Sequence, residues 1–294
     1  MVTEASVMIC VGSAKSGTSW LHRYLSDHPD CHFRAIKELH YFGGFEGDAL
    51  ARNRARIVEN RDRIAASADH ARSARQMAQK LKNIADLEHY VETLDKGVED
   101  KAAYLAYLRE GAGDAKVVGE LTPAYALLPS EKLGDIANLT ADTRIVFLMR
   151  DPVERLWSHV RMIADQRSAT VEEFPDRADG VLRRTIAGKE NQIAWRSDYA
   201  SALSKLTSAV KPAKLLVGLF EDILNGILVA RICEFLGIRE RQADHKKSIN
   251  PSRPLAMRPD QRAAAVDWLQ PQYQAVEQFF GELPSAWTPS LQRI

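Results

Sequence analysis

The segment "SVMICVGSAKSGTSWLHRYL" (6–25) constrains the fold more than any other part of the chain. Its first third, "SVMICVG", is an unbroken apolar run ending in glycine, which suits a strand buried on both faces of a parallel sheet. From Ser16 to Leu25 the apolar residues Trp20, Leu21, Tyr24 and Leu25 recur at helical spacing. Between them lies a loop in which Gly12 and Gly17 have the spacing of the phosphate-binding pattern G-x-x-x-x-G-K-[ST]. Strand, glycine loop and helix follow in the order that presents backbone N–H groups and a positive helix end to an anion. The lysine, however, is displaced: Thr18 stands after the second glycine, and Lys15 lies inside the loop. In a nucleotide triphosphatase the post-glycine lysine reaches the β and γ phosphates and the next hydroxyl holds magnesium, so this loop argues against ATP as its ligand.

Two further apolar runs, "TRIVFLMR" (143–150) and "AKLLVGLF" (213–220), read as interior strands, and "AKVVGE" (115–120) as a weaker one. Helices are expected from Pro152 to Gln166 and from Leu224 to Leu236, the latter with Gly237 as its C-cap. Strands alternating with helices predict an α/β fold of three layers, a central parallel sheet with helices on both faces. Ligands of such sheets bind beyond the carboxyl ends of the strands, where Lys15, Glu120, Arg150 and Glu221 emerge. Residues 46–110 contain no proline and are rich in Ala, Arg, Glu and Leu, which predicts a helical insertion. From Arg52 to Lys82 there are nine Lys or Arg against three Asp or Glu. That bias is either a solvated helix face or a basic wall that guides an anionic acceptor. With no internal repeat and no Pro/Gly-rich linker, residues 1–294 are expected to form a single domain carrying this insertion.

Composition excludes more than it assigns. A net charge of +1 makes no global case for nucleic acid or a membrane surface. The apolar opening Val7 to Val11 is too short to span a bilayer and lacks the basic flank of a secretory signal, so a cytoplasmic protein is expected. Cys10, Cys31 and Cys233 are scattered and odd in number, which suits reduced thiols. His28 and His32 flank Cys31, but no second cluster completes a four-ligand metal set; a polar loop after the first helix is expected there.

Two segments carry a family resemblance. "KSGTSW" (15–20) resembles the 5′-phosphosulfate motif of sulfotransferases that use 3′-phosphoadenosine 5′-phosphosulfate (PAPS). "RIVFLMRDPVERLWSHV" (144–160) resembles their 3′-phosphate motif, an arginine ending a strand with a serine eight residues later, here Arg150 and Ser158. Pro152 suits the first turn of the helix that follows, and Ser158 lies about two turns along it. The resemblance covers residues 7–44, 115–166 and 196–253. It implies a P-loop-like fold, PAPS as donor, 3′-phosphoadenosine 5′-phosphate (PAP) as product and no metal. It further implies donor binding by Lys15, Ser16, Gly17, Thr18, Ser19, Arg150 and Ser158, with Trp20 stacked on adenine or else in the core. The basic loop "HKKSINPSRP" (245–254) is similar in position to the family's 3′-phosphate cover and offers Lys246, Lys247 and Arg253.

The acceptor side rests on the same resemblance. "IKELHYFGG" (36–44) is similar to an element of heparan sulfate and related bacterial sulfotransferases whose glutamate takes the acceptor proton, which implies Glu38 as base. Lys37 would neutralise charge near the bridging oxygens, and His40 is a second candidate base. "GELTPAY" (119–125) resembles an element usually written with lysine after the glutamate; here Leu121 replaces it, and Glu120 and Tyr125 are expected to line the acceptor pocket. The acceptor itself is a small molecule, glycan or lipid that the sequence does not define, as it does not define the oligomeric state. Two alternatives remain at this point: a nucleotide kinase with an atypical P-loop, and a PAP-binding scaffold without activity.

Overall fold

The computed structural model describes residues 4–242 and 252–292. Among these, five parallel strands form one sheet: β1 (Ser6–Gly12), β2 (Cys31–Phe33), β3 (Val117–Leu121), β4 (Thr143–Met149) and β5 (Leu215–Leu219). Their spatial order is β2-β3-β1-β4-β5, so β1 is central, with Val7 level with Val118 on one side and Thr143 on the other. Alternation along β1 divides the interior into two cores. Val7, Ile9 and Val11 join Ile145 and Phe147 on one face, while Met8 and Cys10 join Val146 and Leu148 on the other. Burial of both faces is why these strands read as continuous apolar runs.

The helices supply the outer layers. In chain order they are α1 (Thr18–Ser26), α2 (Ala49–Ala66), α3 (Ala74–Leu94), α4 (Lys101–Arg109), α5 (Ser130–Ala137) and α6 (Pro152–Arg167). They continue as α7 (Phe174–Ile186), α8 (Asn191–Trp195), α9 (Tyr199–Ala209), α10 (Glu221–Leu224), α11 (Ile227–Leu236), α12 (Pro259–Phe280) and α13 (Thr288–Gln292). Apolar residues of α1 and α11 cover the Met8 and Cys10 face, whereas those of α3 to α7, α9 and α12 belong to the core on the other. The result is the P-loop-like three-layer α/β arrangement, with α2, α3 and α4 as the helical insertion. No helix of the described residues is long and apolar enough to cross a membrane. The three cysteines are buried free thiols.

Several element limits differ from the sequence reading. The first helix starts at Thr18 because Gly17 takes a left-handed conformation, φ 85°. The helix read from Leu224 to Leu236 is broken at Gly226, φ 83°, into α10 and α11. Residues 31–33 form an edge strand, not a loop: Cys31 is buried and pairs with Val117 along the open side of β3. The weak run 115–120 yields a strand only from Val117, since the Lys116 N–H turns to the carbonyl of Asp30.

Gly119 in β3 has a packing requirement, because a Cβ there would collide with the main-chain oxygen of Met8 in the neighbouring strand. Backbone in a central sheet cannot yield as a side chain does. Gly119→Ala is expected to destabilise the fold by about 2 kcal/mol, within the overpacking range. Urea denaturation would read this as a lower midpoint at unchanged slope.

Candidate active site

The carboxyl ends of β1 and β4 meet where the chain changes direction across the sheet, the place at which open α/β sheets bind ligands. A cleft of about 900 Å³ opens there and is bordered by Lys15, Gly17, Thr18, Ser19, Trp20, Arg150 and Ser158, which the sequence motifs had singled out. The loop after β1 is tightly organised. Ser13 Oγ lies 2.6 Å from Ser16 Oγ, and the Tyr199 hydroxyl reaches Ser13 while also accepting from the Arg150 N–H at 3.1 Å. Tyr199 thereby ties the loop to the end of β4. Gly17 is sterically required as well as left-handed: a Cβ would lie 2.7 Å from the Phe220 ring and 2.8 Å from Ile223. No side chain caps the start of α1, so its first N–H groups are not taken by a cap. Asp151, in contrast, caps α6 by accepting from the Glu154 N–H at 2.9 Å, with Pro152 in the first turn.

The cleft is rich in cations, and among the described residues Lys15, Arg161 and Arg196 have no carboxylate within ion-pair distance. Lys15 Nζ lies 3.5 Å from Ser252 Oγ and 3.6 Å from Met162 Sδ, with φ 71° at its backbone. Burial first, then the charges of Arg150, Arg161, Lys37 and Arg155, lower its pKa. Arg150 packs its guanidinium 4.8 Å from the centre of the Phe220 ring and is 3.8 Å from Glu154. Arg161, one turn beyond Ser158 on α6, also borders the cleft; its Nη1 donates to the Arg253 carbonyl at 3.2 Å, while its Nε is buried without a hydrogen-bond partner among the described residues. Behind them Arg155 is wholly buried between Ser197 and His159, and desolvation pulls its pKa down to about 10. Trp20 borders the cleft with its ring stacked on Tyr24, centroids 5.5 Å apart.

Arg253 is placed elsewhere than the sequence reading expected. Its guanidinium pairs with Asp165 at 3.1 Å and lies over the Phe174 ring, outside the cleft lining; Ser252 borders the cleft instead. Lys246 and Lys247 lie outside the described residues.

Lys37, Glu38 and His40 come together in the wall of the same cleft. Lys37 Nζ bridges Ser19 Oγ at 3.1 Å and Glu38 Oε1 at 2.9 Å, and His40 Nε2 lies 3.6 Å from Glu38 Oε2. Burial pushes the Glu38 pKa up, but the His40 and Lys37 contacts outweigh it and bring the carboxyl down to about 2. Glu38 and His40 both have left-handed backbone, φ 62° and 54°, which a side-chain-bearing residue adopts only when its surroundings fix it.

Those surroundings centre on Glu120, which is 3% exposed and does not border the cleft. Its Oε1 accepts from the hydroxyls of Tyr104 and Tyr125, both at 2.7 Å, and its Oε2 from Thr122 at 2.6 Å and the Leu39 N–H at 3.2 Å. Tyr125 in turn accepts the Tyr41 N–H at 2.8 Å, and Thr122 the His40 N–H at 3.4 Å. Consecutive N–H groups of the Glu38 loop thus converge on one carboxylate, directly or through a hydroxyl. The loop carbonyls are held from the insertion: Arg56 donates to that of Glu38, Asn53 and Tyr90 to that of Leu39. Glu120 and Tyr125 therefore lie beneath the loop and do not line the pocket.

The basic bias of 52–82 is likewise absent from the cleft lining. Arg54 pairs with Asp95, Arg61 with Asp62, and Lys80 with Ser67, all within the insertion.

Comparison with known proteins decides the family. The sequence matches the profile of the sulfotransferase family over residues 8–242. The chain belongs to the sulfotransferase family. This membership sets the nucleotide-kinase alternative aside. A sulfotransferase from Alicyclobacillus acidocaldarius has a similar fold, with a TM-score of 0.62 at 22% identity, covering 98% of this chain and 100% of that one. The sulfotransferase domain of the Synechococcus PCC 7002 olefin synthase is similar with a TM-score of 0.51 at 16% identity, covering 96% of each chain. No curated protein matches the sequence. Among the described residues no group of three or more His, Cys, Asp or Glu is placed to hold a metal ion.

Proposed function

We propose that this sulfotransferase takes its sulfuryl group from PAPS and delivers it to a hydroxyl or amine, releasing PAP, in the cytoplasm. The observation that carries this reading is the environment of Lys15: a half-buried ammonium whose pKa is lowered by desolvation and then by four neighbouring cations. Cations crowded in greater number than the nearby Glu38 and Glu154 can balance fit a polyanionic ligand, which supplies the missing negative charge. The buried Nε of Arg161, without a partner among the described residues, and the uncapped start of α1 fit the same kind of ligand. In this reading Lys15 and the backbone of 16–19 hold the 5′ phosphosulfate, and Arg150 with Ser158 the 3′-phosphate. Arg161 takes the part that Arg253 leaves unfilled, while Lys246 and Lys247 remain candidates for a cover. Trp20 offers its ring to the adenine.

PAPS supplies a sulfuryl group on a good phosphate leaving group. The chain's own residues do the rest. The acceptor's O–H or N–H gives its proton to a Glu38 carboxylate oxygen as the new bond to sulfur forms and the sulfur–phosphate oxygen bond breaks. Lys15 and Lys37 stabilise negative charge growing on the departing oxygen. A carboxyl with a pKa of about 2 is a weak base in the resting site. Lys37 relieves this: as its charge turns to the leaving oxygen it supports Glu38 less, and the carboxylate gains basicity as the transition state is approached. His40 orients Glu38 through the contact at 3.6 Å. The acceptor is a small molecule, glycan or lipid.

The donor reading is tested by thermal shift. PAP is expected to stabilise the fold far more than AMP, which lacks the 3′-phosphate. Arg150→Ala is expected to erase most of that difference, since a charge-assisted contact contributes about 1.5–3 kcal/mol. Equal shifts with PAP and AMP in the unmutated chain would sink the assignment. Incubating lysate with the protein and isotopically labelled PAPS, then searching by mass spectrometry for a gain of SO₃, finds the acceptor; tight PAP binding with no labelled product from any source would instead mark an inactive scaffold.

A further inference from the structure

Beside the cleft lies a second cavity, of about 400 Å³, which shares Ala14, Pro123 and Arg196 with it. The two therefore abut at the residue before Lys15. Much of the second cavity's wall is apolar, from Ala14, Pro123, Ala126, Leu127, Phe147 and Trp195. Trp195, at the end of α8, is 56% exposed, an unusual position for so large a ring in the absence of something to cover it.

All the charged groups in this wall hydrogen-bond within the protein, but Arg196 is the one that keeps donors to spare, since only its Nη1 is used among the described residues. Lys205 donates to the carbonyls of Ala126 and Leu128 at 2.7 and 3.0 Å. Asp198 caps α9 by accepting from the Ser201 N–H at 2.9 Å. Among the described residues the hydrogen bonds of Arg196 go to Gln192 alone, to the carbonyl at 2.9 Å and the side-chain oxygen at 2.7 Å. Burial lowers its pKa against the opposing pull of the Glu38 carboxylate, and the Arg196 charge in turn bears on Arg155 and His159. A partly desolvated guanidinium with only neutral partners is a site for an anion, and its planar fork matches a carboxylate.

Resting on the transferase reading, we propose that the acceptor is an amphipathic hydroxy acid whose carboxylate pairs with Arg196, whose apolar body fills the second cavity, and whose hydroxyl faces Glu38. Because Arg196 stands at the seam and within the field of Glu38, the carboxylate and hydroxyl of this acceptor lie close together at one end of the apolar body. Arg196 is then the residue that discriminates acids from neutral alcohols, by leaving a partly desolvated cation unmatched when the carboxylate is missing. A long anionic polysaccharide does not fit this arrangement, since the cavity takes a compact body and, among the described residues, offers one guanidinium with donors to spare.

The test is calorimetric titration of the PAP-loaded protein with 3-hydroxydecanoate and, separately, with 1,3-decanediol, which keeps the chain and lacks the charge. The acid is expected to bind at least about tenfold more tightly than the diol, the range of one charge-assisted contact. Arg196→Gln is expected to abolish that preference, Arg196→Lys to retain part of it, and Trp195→Ala to weaken both compounds, with PAP affinity unchanged in all three. Equal affinity for acid and diol, or no binding of either while PAP still binds, overturns the proposal and leaves the transferase reading intact. Loss of PAP binding in Arg196→Gln would assign this arginine to the donor and overturn it too. Failure of PAP to bind the unmutated chain would bring down the transferase reading itself.

Discussion

Glu38→Gln is expected to lower kcat by about 10³-fold, in the middle of the range for a general base. The substitution keeps shape and hydrogen-bonding length while removing the proposed base, so PAP affinity should be nearly unchanged. About 10³-fold corresponds to roughly 4 kcal/mol of lost transition-state stabilisation, which a change in ground-state binding would not reproduce. The pH profile separates Glu38 from His40. A base must be deprotonated to act, so the rate falls as pH falls through its pKa. With Glu38 held down to about 2 by its His40 and Lys37 contacts, the acid limb of kcat/KM for the acceptor, at saturating donor, belongs low in the carboxylate range. Full activity in Glu38→Gln, or an acid limb that survives the substitution, would reassign the base.

The parts of this site that were legible in the sequence are those encoded locally. Lys15, Gly17 and Thr18 sit in one strand–loop–helix junction, and Arg150 and Ser158 in another, so spacing alone places each pair of features on one edge of the sheet. Arg161 was open to the same logic, being three residues beyond Ser158 and therefore on the same helix face, but no motif drew attention to it. The break between α10 and α11 was signalled by Asn225-Gly226, a turn dipeptide inside an apolar pattern. The strand β2 was not legible: three residues are too few to show a period, and their pairing depends on the exposed edge of β3. Arg196 was hidden for a different reason. Its significance lies in which neighbours lack a negative charge, a property of the assembled cavity and not of "AWRSD".

Glu120 was the most instructive misreading, and it sets the second large expectation. At the end of β3, ahead of Thr122 and Pro123, it looks like a polar residue facing a ligand; its burial comes from Tyr104 of the insertion and from the Glu38 loop itself. Two of its donors have no alternative. The Leu39 N–H cannot turn round, and the Tyr125 hydroxyl already accepts the Tyr41 N–H, so its proton must go to Glu120. Glu120→Gln places an amide N–H₂ where a carboxylate oxygen had received only donors, and one end of the network is left facing donor to donor. Stability is expected to fall by about 1–3 kcal/mol, the cost of a buried polar group left unmatched. The larger effect falls on turnover. The left-handed backbone of Glu38 and His40 persists because its N–H groups are tethered, and a displacement of the base on the order of 1 Å costs about 10²-fold in rate. The expected pattern is a kcat lower by about 10²-fold with PAP affinity unchanged, which a general loss of folding would not give. A pH signature accompanies it. Burial raises the Glu120 pKa against the opposing pull of its Thr122, Tyr125 and Tyr104 hydrogen bonds, so the native state keeps this proton to a higher pH than the unfolded chain. Between the unfolded and folded values, stability therefore declines as pH rises, and Glu120→Gln should flatten that decline. Should the variant keep full kcat, the loop holds its shape without the carboxylate, and the strain at Glu38 must be balanced by Arg56, Asn53 and Tyr90 from the insertion side.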